Sequence, residues 1–205
     1  MSSRQYDELK RRVDELRVQF VDFDVPIDRD PTRQELSNIA AFKLLAHAEI
    51  QTYVEDRISE CLGQSFQMWQ QDRKVSRCLL GLVLRWAGPI AERDHFSTSH
   101  NGPSVDELMN RCLSSARDEI SSNNSIKREA FSRLASSAGF LAQELDGTLL
   151  AELESFGKTR GELAHKAVGK VRVLNAPSVE AQAAKNIVEL LEQFDVELTD
   201  RLGAG

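Results

Sequence analysis

"PTRQELSNIAAFKLLAHAEIQTYVEDRISECL", residues 31–62, is the stretch on which the fold turns. After Pro31 it holds neither Pro nor Gly until Gly63, and its apolar residues recur at steps of three and four, so that Phe42, Leu45, Ala46 and Tyr53 fall on one stripe. This predicts a long α-helix. A helix of that length needs other elements to cover its apolar face.

The flanking sequence supplies them as further helices. Upstream, Tyr6, Leu9, Val13, Leu16 and Phe20 alternate by three and four, which predicts an amphipathic helix over residues 1–21 that lays one stripe on the main body. "DFDVPIDRDP", residues 22–31, breaks that pattern with two prolines and four aspartates and reads as a linker. Downstream, "FQMWQQDRKVSRCLLGLVLRWAG" predicts a second long helix ending near Gly88-Pro89. A polar loop follows over 92–104, and the next helix starts with Ser104 as N-cap. "SSNNS" marks another break, followed by the shorter pieces "IKREAFSRLASSAGF" and "LDGTLLAELESFG". Pro177 and Ser178 signal the start of a final helix. Only "VGKVRVL" alternates as a strand would, so the expected fold is all-α: an up-and-down bundle of long antiparallel helices over 32–205, with an extra N-terminal helix.

Composition narrows the function. At 205 residues and 41% apolar content the chain can bury one sizeable core. It has no long apolar window, and its N-terminus is charged, which predicts a cytoplasmic protein without a membrane span. Cys61, Cys78 and Cys112 are widely spaced in sequence and lack the close pairs of zinc sites, so they read as small apolar residues on helices. A net charge of −6 argues against a protein that coats nucleic acid non-specifically.

Against that acidity, "FGKTRGELAHKAVGKVR", residues 156–172, gathers Lys158, Arg160, Lys166, Lys170 and Arg172 with the single acid Glu162 and with His165. A local reversal of sign this strong points to a negatively charged ligand. Arginine presents a fixed fork of donors to phosphate oxygens, and histidine titrates near neutrality and can give or take a proton. Together they suit RNA cleavage by the neighbouring 2′-hydroxyl, which needs a base, an acid and positive charge beside the transition state. Five helical steps place positions 160 and 165 about 140° apart, so they share a face only if the chain bends, and Gly157 and Gly161 offer the places. One chain supplies a single histidine here; a two-fold dimer would supply two. The plain alternative pairs Arg160 with Glu162 or Glu154 and lets His165 close a helix end.

"RGELAH" near the end of a helix-rich chain, followed by one last amphipathic helix, resembles the signature of the HEPN superfamily (higher eukaryotes and prokaryotes nucleotide-binding), with Arg160, Ala164 and His165 at the matching positions. "AFKLLAHAEIQTYVEDRI" is similar to the long second helix of that superfamily, particularly its bacterial RiboL-PSP-HEPN branch. The resemblance spans residues 32–202. It implies a helical bundle that forms a homodimer, with the Arg/His motifs lining a cleft at the interface. It also implies metal-independent cleavage of RNA that leaves a 2′,3′-cyclic phosphate, without a cofactor, by a toxin or phage-defence protein partnered by an antitoxin or another defence-system protein. Other members are non-catalytic modules that bind RNA, a nucleotide or a protein. Gly161 departs from the usual polar residue after the arginine, and Ala167 from the tyrosine of one toxin subgroup.

Within that reading Arg160 and His165 are the catalytic candidates, and Lys158, Lys166, Lys170 and Arg172 the RNA-binding candidates. Glu49, on the stripe of Phe42 and Tyr53, would orient Arg160 or His165, or else pair with the Tyr53 hydroxyl or a lysine. His47 reads as a surface or interface residue. His95 and His100 read as part of a flexible loop, and Trp69 and Trp86 as core.

Overall fold

Thr32 starts the long helix. Its hydroxyl accepts the Glu35 N–H at 3.2 Å while the Glu35 carboxylate accepts the Thr32 N–H at 2.7 Å, so two backbone donors at the helix start are satisfied reciprocally. From this cap α2 (Arg33–Asp72) runs for 40 residues. The computed structural model describes residues 2–93, 104–165 and 174–203, which form seven α-helices and one 3-10 turn without a strand. With α1 (Arg4–Phe20), α3 (Arg77–Arg93), α4 (Val105–Ser121), α5 (Arg128–Ser137), α6 (Gly147–His165) and α7 (Pro177–Asp200), the chain is an all-α bundle around α2.

Cross-helix pairs give the directions. Cys61 meets Cys78 and Ser65 meets Ser76, so α3 returns antiparallel to α2. Asp106 bonds Arg73, and Asn123 bonds Glu55, so α4 is antiparallel to α2 as well. Lys43 with Glu180 and Arg57 with Asp195 advance together, so α7 runs parallel to α2.

The first helix lies on the body as its stripe predicts, burying Tyr6, Leu9 and Val13 in the common core. A buried carboxylate fastens it. Asp195 accepts from the Ser3 N–H (2.5 Å), the Ser3 hydroxyl (2.7 Å), the Tyr53 hydroxyl (3.0 Å) and Arg57 Nε (2.7 Å). Burial alone would raise this carboxyl, but the Ser3 donors and the Arg57 charge outweigh it and hold the pKa below the usual range. The Tyr53 hydroxyl therefore serves Asp195 and not Glu49.

Three helix ends differ from expectation, each at a glycine. The long helix continues through Gly63, whose missing side chain faces open space, and stops ten residues later. Its stop is Arg73, a left-handed residue (φ 55°) whose guanidinium bonds Asp106 and covers the Trp69 ring. The third helix passes Gly88-Pro89 and ends at Arg93. The sixth runs unbroken through Gly157, so the bend that would gather positions 160 and 165 within one chain is absent. Gly157 is buried because a β-carbon there would stand 2.8 Å from Lys127 Cγ: it makes room for a crossing side chain. Trp69 and Trp86 are half-buried at the core margin, donating to Asp106 and Ser137.

Candidate functional site

The start of the basic segment and the residues just beyond its far end both rest on one turn of α2. Upstream, the Phe156 ring lies parallel to the His47 imidazole, centroids 6.3 Å apart and planes 10° apart, with Lys43 Nζ 5.2 Å from the same ring. Downstream, Glu180 accepts from the Asn175 N–H (3.2 Å) and side-chain amide (2.9 Å), and forms a buried 2.6 Å ion pair with Lys43. Lys43 and His47 are four residues apart and thus neighbours on the helix surface.

Arg160 stands one turn beyond Phe156, half-buried, and donates Nη1 to the Asn124 carbonyl at 3.2 Å. That carbonyl belongs to the α4–α5 connection, which three residues later supplies Lys127 across Gly157. Neither cation has a carboxylate partner among the described residues. Elsewhere arginines meet acids: Arg57 with Asp195, Arg73 with Asp106, Arg85 with Glu119. Of the acids nearby, Glu154 accepts the Arg128 N–H and Glu55 bonds Gln51 and Asn123, while the side chain of Glu162 lies outside the described residues. The pairing of Arg160 with Glu154 is thus not made.

The charge of Arg160 and Lys127 registers on His47. This residue, read from the sequence as a surface or interface position, is 2% exposed. Burial first, then the charges of Arg160 and Lys127, push its pKa down from 6.5 to about 4, so the imidazole is neutral at physiological pH. The buried face of α2 is broader than one stripe: Leu45, assigned to that stripe, is 42% exposed, whereas Lys43, Ala46, His47 and Ile50 are all covered.

Comparison with protein-family models, curated proteins and solved structures returns no match. The resemblance to the HEPN superfamily therefore stands on "RGELAH" and its helical setting alone.

The other candidate residues divide as follows. Lys158 is exposed. Glu49 is half-buried and makes no hydrogen bond or ion pair with a described residue. His165 is the last residue of α6; its side chain lies outside the described residues, as do Lys166, Lys170, Arg172 and the loop with His95 and His100. Cys61 and Cys78 are buried with sulfurs 3.0 Å apart, and Cys112 is buried separately. Among the described residues no three His, Cys, Asp or Glu side chains are grouped to hold a metal ion, and no helix is long and apolar enough to cross a membrane.

What the described arrangement can do is receive an anion. Arg160 offers the donors that Asn124 does not use, Lys127 adds a second positive charge, and a neutral imidazole presents an N–H rather than a competing cation. Sequence reasoning singled out Arg160 but did not bring His47 or Lys127 to its side. The available signal was the i, i+4 pair Lys43/His47 inside an apolar helix, because polar residues on a buried face need partners.

Proposed function

We propose that this protein is a metal-independent endoribonuclease of HEPN type, cleaving RNA at a composite cleft between two copies of the chain, as a toxin or in defence against phage. The observation that carries the reading is Arg160: a half-buried guanidinium held by a backbone carbonyl, with no carboxylate among the described residues to neutralise it. In an acidic protein whose buried arginines Arg57 and Arg201 meet Asp195 and Glu144, such a cation suits a phosphate. Arg160 stabilises charge developing on the phosphorane-like transition state, while His165 of one copy takes the 2′-hydroxyl proton and His165 of the other protonates the leaving 5′-oxygen. The unbroken α6 separates positions 160 and 165 around its axis, which is why the site is assigned to two copies.

The same unbroken helix favours a second reading, a non-catalytic module that binds RNA, a nucleotide or a protein partner through this surface. The His165→Ala variant separates the two. The first reading expects turnover to vanish while affinity for an uncleavable RNA stays within about threefold. Affinity lost from a protein that never cleaved would leave the second.

A further inference from the structure

We propose that His47 and Lys127 complete, with Arg160, a phosphodiester-binding subsite for single-stranded RNA. It is built where α2, the α4–α5 connection and α6 converge, and it rests on the ribonuclease reading above.

Three independent contacts define the convergence. Phe156 stacks on His47, fixing α6 against α2. Gly157 lets the Lys127 stem cross α6 one turn before the end of the Phe156–Arg160 face. The Asn124 carbonyl holds the Arg160 guanidinium over the same connection. Together they fix two cations and one imidazole against a single turn of α6.

Both cations lack an acid among the described residues, and the imidazole makes no hydrogen bond there although it is 2% exposed. An anion placed between Arg160 and Lys127 offsets their mutual repulsion and accepts the imidazole N–H. A cationic ligand would meet two like charges, and a neutral one would leave them uncompensated. A phosphodiester presents one charge and several acceptor oxygens, which suits this donor set. His47 acts here as a binding residue; the proton transfers remain with His165.

The test uses the full-length protein and, as probe, a single-stranded RNA oligonucleotide with every 2′-hydroxyl methylated, which binds but cannot be cleaved. Lys127→Gln should weaken its binding about tenfold and reduce the salt dependence of log K by about 0.7, the contribution of one phosphate contact. The control Lys74→Gln removes the same charge from an exposed site beyond the far end of α2, roughly 40 Å along the helix, and should leave affinity unchanged. In the unmutated protein, the His47 ring signals in a 1H–15N spectrum should shift on addition of the oligonucleotide. That readout does not depend on any variant folding. Binding that is equal in wild type and Lys127→Gln, with His47 signals unmoved, would overturn the subsite while leaving RNA cleavage at Arg160 and His165 standing. Wild type that neither binds the probe nor cleaves ordinary RNA would overturn the ribonuclease reading and this subsite with it.

Discussion

The rings of His47 and Phe156 lie nearly parallel, 6.3 Å between centroids, and through this contact the central helix of the bundle supports the start of the basic segment. Phe156 is 3% exposed and Lys43 packs over its ring too, so one aromatic side chain connects two polar residues of α2 to the turn that carries Arg160. Phe156→Ala should therefore destabilise the fold by about 3–5 kcal/mol. Phe156→Leu should cost less and still lower RNA affinity, because the flat contact that positions His47 is gone. Urea titration beside oligonucleotide binding measures both.

The neutral, buried His47 makes stability depend on pH. Its folded pKa of about 4 lies below the unfolded 6.5, so between these values the unfolded chain binds more protons and acid favours unfolding. Stability conferred by the neutral ring is complete above pH 6.5 and falls as pH drops toward 4, by about 3 kcal/mol over the whole window. Urea midpoints at pH 7 and pH 4.5 for wild type and His47→Gln should show the loss in wild type and a smaller one in the variant.

Lys43 and Glu180 are an ion pair with both side chains almost fully covered. Removing one partner leaves an uncompensated buried charge, so Glu180→Leu should cost about 3–5 kcal/mol, and Lys43→Met in the same chain should restore most of it. Because Glu180 also holds Asn175, the single variant should speed amide exchange at residues 174–176.

Two glycines should respond differently to alanine. A β-carbon on Gly81 would lie 2.1 Å from Gly139 Cα, backbone against backbone, and Gly139 itself adopts φ +83°. Gly81→Ala should lower stability by at least about 2 kcal/mol. At Gly157 the obstacle is the Lys127 stem, and the helix gains about 1 kcal/mol of propensity from alanine. Gly157→Ala should keep its thermal midpoint within a few degrees of wild type while weakening RNA binding by displacing Lys127.

The helices of this bundle were legible because the 3.6-residue period of Tyr6, Leu9 and Val13, or of Phe42 and Ala46, survives in any setting where one stripe is buried. Helix ends were less so, because glycine is an ambiguous signal. At Gly63 the propensity cost is about 1 kcal/mol, small beside the burial of Cys61, Leu62, Ser65 and Phe66 around it, and the helix continues. At Gly157 the residue serves a contact made by Lys127, thirty positions away in sequence, which no local pattern reveals. His47 was misplaced for a related reason: α2 is covered on several sides by α1, α3, α4, α5, α6 and α7, so a single-stripe reading assigns some buried positions to solvent. Arg160 stood out in the sequence because charge contrast and residue type are visible without the fold.

The proposed cleavage of RNA by Arg160 and His165 can be decided in one incubation. Wild type, Arg160→Ala and His165→Ala are each incubated with mixed RNA in excess EDTA, and the product ends are identified. Wild type alone should cleave, leaving 2′,3′-cyclic phosphate and 5′-hydroxyl ends. Intact RNA with all three folded proteins, or cleavage that persists in His165→Ala, would contradict it.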